Sequence, residues 1–260
     1  MRFSPDLQGK PNGLSRESFR WTWNVPRGTE SVMSERRAES IDPAPIRARI
    51  HQGLERIFGA DGLELAQTEK LTQLVFLLAQ WAPRMNLTGH RDPMEITSRL
   101  VLDAAALVGA LPELGSASDL ADLGSGAGFP GLPIAILRPH LRVYLVDSRQ
   151  KRHHFQREAR RQLGLDQVSP LLGRSDAIEV HPCDVVVAQA MAQPDTALAQ
   201  MQAWARPGGL LVLPASSEAS TPAIPDSRSG PERRTYRVPL TSVHRQLWVA
   251  RLASSESTEQ

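Results

Sequence analysis

Apolar residues between positions 46 and 111 recur at the spacing of an α-helix. Two runs, each with intervals of three or four residues, carry the pattern: Ile46, Ile50, Leu54 and Ile57, then Leu71, Leu74, Leu78 and Trp81. Proline breaks a helix interior, so the second helix is predicted to end at Pro83. A third helix is predicted to begin at Asp92, with Pro93 at its first helical position. The pattern predicts a helical cap over residues 45–112.

From residue 113 onward, short apolar runs alternate with amphipathic ones. Five runs are predicted to be strands: SDLADLG (118–124), LRVYLVD (141–147), QVSPLLG (167–173), CDVVVAQA (183–190) and GGLLVLP (208–214). Helical runs connect several of them, and RTYRVPL (234–240) and RQLWVARL (245–252) are predicted to form a closing antiparallel pair. Such alternation favours a parallel sheet with helices on both faces. The sequence thus predicts a Rossmann-like α/β domain over residues 113–260.

Residues 1–44 are rich in Ser, Pro, Arg and Glu and lack periodic apolar positions, which predicts a disordered extension. A basic arm that binds phosphate is the alternative interpretation. Translation could start at Met1 or at Met33, and both remain open. The extension lacks the apolar block of a secretory signal, so we expect a cytoplasmic protein.

Amino-acid composition excludes fewer classes of protein than the pattern of apolar positions does. The chain has 260 residues, of which 41% are apolar and 22% charged, as in globular proteins. Its net charge of +2 does not by itself indicate that the protein binds nucleic acid. No apolar run reaches the roughly 18 residues that a membrane span needs, so no membrane partner is expected. The one cysteine, Cys183, excludes an intramolecular disulfide and is predicted to be a buried apolar residue.

The stretch DLGSGAGFPGLP (122–133) places Gly124, Gly126 and Gly128 between the first predicted strand and its helix. We expect such a turn to bring a ligand against bare backbone N–H groups. The G-x-G-x-G spacing and the missing N–H groups of Pro130 and Pro133 disfavour a pyrophosphate and favour S-adenosylmethionine. Asp147 ends the next strand 23 residues after Gly124, where a carboxylate accepts hydrogen bonds from ribose hydroxyls. A tight structural turn beside a surface carboxylate is the alternative.

Five segments follow one another in a telling order: MNLTGHRDPMEI (85–96), LDAAAL (102–107), DLGSGAGFPGLPIAILRP (122–139), LVDSRQKRHHFQREARRQLGL (145–165) and GRSDAIE (173–179). In them the chain resembles the small-subunit rRNA methyltransferase G family, also called the glucose-inhibited division protein B family. The likeness covers roughly residues 50–213. It implies an adenosylmethionine-dependent methyltransferase fold, S-adenosylmethionine as cofactor, small-subunit (16S) ribosomal RNA or an assembling subunit as partner, and transfer to guanine N7.

The resemblance, the glycine turn and the basic helix together suggest roles for individual residues. The residues expected to bind the cofactor are Gly124, Gly126, Gly128, Phe129, Asp147, Ser175, Asp176 and Gln189, with Ser175 and Asp176 beside the adenine. Those expected to bind the RNA are Asn86, Thr88, Arg149 and Arg152. No catalytic acid or base is assigned, because guanine N7 already carries a free lone pair. No metal site is predicted, since His, Cys and Asp residues do not cluster at ligand spacing.

The chain departs from the family pattern at five positions that we expect near the substrate entrance. Small, apolar or uncharged residues stand where the family has polar or charged ones: Ala82, Leu100, Ala104, Gln189 and Pro214. Losing one charged contact to RNA or ligand costs about 1 to 3 kcal/mol. A catalytically weakened paralogue that binds cofactor and RNA or a protein is therefore an alternative, as is a methyltransferase with another substrate. A nicotinamide-dependent oxidoreductase is disfavoured by the glycine spacing.

Residues 149–161 hold six cations against a single acid, Glu158. This segment is predicted to be a long helix with Phe155 and Leu163 facing inward. Its cationic face either contacts RNA phosphates or is a solvated surface. We expect the protein to be a monomer.

Overall fold

The computed structural model describes residues 42–62, 64–188, 194–215 and 230–254. Residues 1–41 of the predicted N-terminal extension, with both candidate start methionines, therefore lie outside the described residues. Among the described residues, no helix combines the length and the apolar character that crossing a membrane requires.

Four helices precede the sheet: α1 (Ala44–Phe58), α2 (Leu65–Met85), α3 (Pro93–Ile96) and α4 (Leu102–Ala110), with α3 and α4 joined by a π-helical turn over Thr97–Val101. The predicted start of the third helix is confirmed, because the Asp92 carboxylate accepts the Glu95 N–H at 2.9 Å and Pro93 follows it.

The predicted end of the second helix is wrong. Helix α2 continues through Pro83 to Met85. Proline removes its own N–H bond and crowds the carbonyl four residues earlier, but only two residues of the helix follow Pro83. The true end is Asn86, whose left-handed backbone (φ 50°, ψ 47°) directs its N–H to the Ala82 carbonyl at 3.0 Å.

Seven strands form one mixed sheet: β1 (Asp119–Leu123), β2 (Arg142–Asp147), β3 (Val168–Leu172), β4 (Cys183–Ala188), β5 (Ala205–Ala215), β6 (Glu232–Arg237) and β7 (His244–Arg251). Their order is β3-β2-β1-β4-β5-β7-β6. The first five are parallel, whereas β7 is antiparallel to both β5 and β6. The five predicted strands and the antiparallel closing pair are confirmed, although β5 begins three residues earlier than predicted.

Three helices connect the parallel strands: α5 (Gly131–Leu137), α6 (Gln150–Leu163) and α7 (Pro194–Trp204). Alternate residues of each strand face opposite sides of the sheet, as Leu120 and Ala121 do. The cap helices, α5 and α6 share the core on one face, and α7 covers the other. Helices on both faces confirm the predicted Rossmann-like α/β fold.

The inward residues predicted from the sequence are buried. Phe155 and Leu163 of α6 lie in the core on the cap side, and Cys183 lies in the core on the α7 side with Met201 and Trp204. Burial raises the pKa of the Cys183 thiol to about 12, so the side chain stays neutral at physiological pH.

The C-terminal strands are fastened to the cap through a carboxylate on α4. Asp103 accepts the Tyr236 hydroxyl at 3.0 Å and the Arg245 Nε at 3.0 Å. Burial raises the pKa of Tyr236 above its usual range, so the phenol remains a hydrogen-bond donor. This cluster joins residues more than 130 positions apart in sequence.

Candidate cofactor and substrate site

The crevice predicted for the cofactor lies at the carboxyl ends of the parallel strands. The chain runs from β1 outward to β2 and β3, then returns to β4 on the other side of β1. Such a switch point leaves an opening above β1, where ligands of open α/β sheets bind. Three segments meet there: the glycine loop (residues 124–130) after β1, Asp147 at the end of β2, and residues 173–176 after β3.

The backbone of the glycine loop explains its glycines. Gly124, Gly126 and Gly128 have φ values of 72°, 59° and 82°, in the left-handed region where a side chain is strained. A Cβ on Gly128 would also lie 2.5 Å from Leu132 Cδ1. On Gly126, by contrast, a Cβ would meet only the Gly124 carbonyl, at 4.0 Å. Gly128 is therefore required by packing as well, whereas Gly126 borders open space.

The expectation that the loop offers bare N–H groups is wrong for most of them. Two N–H groups bind the Val146 carbonyl, those of Gly124 at 2.9 Å and Ser125 at 3.0 Å. Those of Gly128 and Phe129 bind the Ser125 carbonyl, at 2.8 and 3.0 Å. The loop thus presents bonded N–H groups and, at Gly126, a face without a side chain, rather than an anion cradle. A zwitterionic sulfonium fits such a surface better than a pyrophosphate does.

Asp147 faces inward beneath the loop, and its carboxylate is only 3% exposed. Its Oδ2 accepts the Gly126 N–H at 3.0 Å and Arg152 Nη1 at 3.0 Å, and its Oδ1 accepts the Arg149 N–H at 2.8 Å. A carboxylate offers about four acceptor positions, so one on Oδ1 remains. Arg152, predicted to bind RNA, instead lies against the carboxylate predicted to bind ribose.

Asp122, at the end of β1, is a second buried carboxyl group, for which the sequence suggested no role. Its Oδ2 accepts the Gly131 N–H at 2.8 Å, whereas its Oδ1 has no partner within the described part of the chain. Burial raises the pKa of Asp122 to about 7; the Gly131 hydrogen bond lowers it and the nearby Asp147 raises it. Asp122 therefore titrates near neutral pH directly under the glycine loop.

The end of β3 is fixed by helix α7. The Ser175 hydroxyl donates to Gln200 Oε1 at 2.8 Å, and its carbonyl accepts Trp204 Nε1 at 2.9 Å. Asp176 pairs with Arg174 through two hydrogen bonds of 2.8 and 3.0 Å, which lower the pKa of its carboxyl group. Ser175 is buried and Asp176 is exposed. The edge of the crevice therefore has one side chain held in place by α7 and one carboxylate that faces solvent.

Three further predicted site residues have different environments. Asn86 is exposed at the end of α2, and Thr88 is half-buried and accepts the His90 N–H at 3.2 Å. Phe129 is half-buried and packs against the core. Gln189 lies outside the described residues.

Two of the five departures from the family pattern are buried. Ala82 and Ala104 are 0% and 4% exposed, so the expectation that these two face the substrate is wrong. Leu100, in the π-helical turn, is half-buried and packs against the core. Pro214 belongs to β5. The case for a weakened paralogue loses part of its support.

Cations line the exposed side of α6. A groove of about 480 Å³ lies there, bounded by His154, Arg157, Glu158, Arg160, Arg161 and Asp166. Glu158 neutralises Arg161 through bonds of 2.6 and 2.9 Å. Lys151 and Arg157 are exposed and form no ion pair with any residue in the described ranges.

The residues of the crevice fit S-adenosylmethionine. A surface without side chains at Gly126 borders open space, Asp147 keeps an acceptor position for a ribose hydroxyl, and Asp122 carries a buried, unpartnered oxygen. Within the described residues, no group of three His, Cys, Asp or Glu side chains is placed to hold a metal ion.

Comparison with known proteins identifies the family of this chain. The family model described as GidB, rRNA small subunit methyltransferase G, matches residues 67–221. The chain belongs to the rRNA small subunit methyltransferase G family. Ribosomal RNA small subunit methyltransferase G of Stenotrophomonas maltophilia (strain K279a) is 39% identical over 174 residues, which cover 65% of this chain and 77% of that relative. The enzyme of that name from Chromohalobacter salexigens is 35% identical over 77% of this chain and 94% of its own length.

Membership in the rRNA small subunit methyltransferase G family confirms the resemblance found in the sequence. The protein is an enzyme, an S-adenosylmethionine-dependent methyltransferase of small-subunit ribosomal RNA. Among solved structures, the chain is similar to the Burkholderia thailandensis 1,6-didemethyltoxoflavin-N1-methyltransferase, with 15% identity, a TM-score of 0.47, and coverage of 69% of this chain and 89% of that one.

Proposed function

We propose that this methyltransferase acts on N7 of a guanine in 16S ribosomal RNA, with the cofactor lying over the glycine loop and its ribose on Asp147. The observation that carries the proposal is the meeting of the side-chain-free face at Gly126 and an inward carboxylate at the switch point of the sheet. S-Adenosylmethionine, when bound, supplies an electrophilic methyl group on a sulfonium centre. Everything else that the reaction needs is positioning.

The chain holds the cofactor through groups of three kinds. Gly124, Gly126 and Phe129 are half-buried and line the loop side. The free Oδ1 position of Asp147 accepts a ribose hydroxyl. Ser175 and Asp176 follow β3 at the edge of the crevice and are proposed to border the adenine.

Guanine N7 suits a site without a dedicated base. Its lone pair attacks the methyl group directly, whereas an exocyclic amine would first have to lose a proton. The carboxylate of Asp147 is already committed to N–H donors, which fits a binding role better than proton transfer. The enzyme's task is to hold N7 in line with the methyl group and to exclude water.

The RNA reaches the crevice along α6. Arg149 is exposed at the start of that helix, beside Asp147, and Lys151 and Arg157 follow on its surface. Arg157 lies six residues beyond Lys151, about 9 Å along the helix axis. Exposed cations separated in this way neutralise separate phosphates of an RNA strand. Asn86 and Thr88 are proposed to contact the target nucleotide from the cap.

The test uses labelled S-adenosylmethionine and small ribosomal subunits from a strain that lacks the modification. Borohydride and aniline treatment cleaves RNA at 7-methylguanosine, so primer extension then locates the product. The proposal predicts one labelled guanine for the wild type, a strong loss for Asp147→Asn, and no change for Glu55→Gln, an exposed residue of α1. Label on another atom or another RNA would contradict it.

We also propose that the protein works as a monomer in the cytoplasm, whose reducing conditions suit its single thiol.

A further inference from the structure

Gln156 is a polar residue on the buried face of α6. It is 0% exposed and lies beside Phe155, Ala159 and Leu163, which are all core residues. Its Nε2 donates to Ser125 Oγ at 2.9 Å and to the Gly126 carbonyl at 2.8 Å. Both hydrogens of the amide are therefore used, and both acceptors belong to the glycine loop.

The surroundings fix the orientation of the amide. The Gly126 carbonyl can only accept, and the Ser125 hydroxyl gives its own proton to the Val146 carbonyl at 3.3 Å. The nitrogen must therefore face the loop. The Oε1 atom is buried and has no partner among the described residues. A buried, unsatisfied acceptor is destabilising, so this amide stabilises the core by less than its two hydrogen bonds alone would.

Gln156 and Asp147 hold Gly126 from opposite ends. Asp147 accepts the Gly126 N–H at 3.0 Å, and Gln156 binds its carbonyl. Because the peptide unit is planar and trans, fixing the Gly126 carbonyl directs the Ala127 N–H the opposite way, away from Gln156. The Ala127 N–H makes no hydrogen bond to the described part of the chain. It is the donor of the loop left for a ligand.

We infer that Gln156 is a positioning residue for the cofactor: it fixes the Gly126–Ala127 peptide so that the Ala127 N–H and the bare surface of Gly126 face the crevice. The inference rests on the proposed cofactor site and goes beyond it. The amide at this core position enforces the loop geometry through its two hydrogen bonds to Ser125 and Gly126.

The experiment measures cofactor binding without RNA. Titration calorimetry with S-adenosylhomocysteine is run on the full chain, on Gln156→Met and on Gln162→Met, an exposed glutamine of the same helix. Thermal unfolding is recorded for each. Gln156→Met is expected to bind about tenfold more weakly, since about 1.4 kcal/mol corresponds to a factor of ten. Its melting temperature should fall by only a few degrees, because removal of the unsatisfied Oε1 partly offsets the loss of two hydrogen bonds. Gln162→Met is expected to match the wild type in both measurements.

Two further measurements separate positioning from packing. In steady-state assays, the KM for S-adenosylmethionine should rise by the same factor in Gln156→Met, while the KM for RNA stays constant. Ser125→Ala, which removes one of the two acceptors, should lose about threefold in affinity. Equal binding by Gln156→Met and wild type would overturn the inference alone. Failure of the wild type to bind S-adenosylhomocysteine would overturn the proposed cofactor site and the inference with it.

Discussion

Replacing Asp122 by asparagine removes a carboxyl group that the fold keeps fully buried beneath the glycine loop. The amide oxygen of asparagine can still accept the Gly131 N–H, which Asp122 binds at 2.8 Å. The substitution therefore changes the charge and leaves the hydrogen bond. In the unfolded chain the carboxyl group ionises near its ordinary pKa of 3.8, whereas burial raises the pKa of Asp122 to about 7 in the folded protein.

The sign and size of the effect follow from these two pKa values. The folded state binds the proton more tightly, so the stability that this group contributes is complete below pH 4 and is lost as the pH rises to 7. Each unit of pKa difference is worth about 1.4 kcal/mol. Between pH 5 and pH 7 the wild type should lose roughly 2 kcal/mol that Asp122→Asn does not lose.

Urea unfolding of both proteins across this pH range provides the assay. Groups that do not interact with Asp122 titrate alike in both, so the difference between the two unfolding free energies reports Asp122 and its coupling to Asp147. We expect the unfolding free energy of Asp122→Asn, relative to that of the wild type, to rise by about 2 kcal/mol from pH 5 to pH 7. Above pH 7.5 this difference should stay nearly constant. A difference that stays constant over the whole range would show that Asp122 does not titrate as its buried position requires.

Three further substitutions test other parts of the molecule. Gly126→Val should abolish the calorimetric signal of S-adenosylhomocysteine, because a β-branched residue at φ 59° is strained and its side chain would enter the crevice. The control Gly115→Ala should bind normally. Arg157→Glu should weaken RNA binding and reduce the slope of log affinity against log salt concentration by about one phosphate contact, with cofactor affinity unchanged. An unchanged slope would show that Arg157 does not contact the RNA. Tyr236→Phe should lower the unfolding free energy by about 1 kcal/mol, measured in urea, since Asp103 loses one donor.

The sequence predicted the fold and the frame of the site well, because local patterns determine both. Alternation of strands and helices gave the parallel sheet, and the 23-residue interval from Gly124 to Asp147 placed both at the crevice. The glycines were informative because a left-handed backbone restricts the residue type strongly.

Contacts between distant elements were not predictable in the same way. The pairing of Arg152 with Asp147 depends on the direction in which α6 leaves β2, and the burial of Ala82 and Ala104 depends on how the cap helices pack. A signal for Gln156 did exist, since it interrupts the apolar face of an amphipathic helix. Such a position predicts a buried polar contact but not its partner.

The contact between the ribose and Asp147 is the central feature of the proposed cofactor site. Calorimetry can test this with S-adenosylhomocysteine and its 2′-deoxy analogue, each titrated into the wild type and into Asp147→Asn. We predict that removing the hydroxyl weakens binding to the wild type about tenfold, or about 1.4 kcal/mol, and has little effect on Asp147→Asn. An equal loss in both proteins would contradict the assignment, because the hydroxyl would then bind elsewhere.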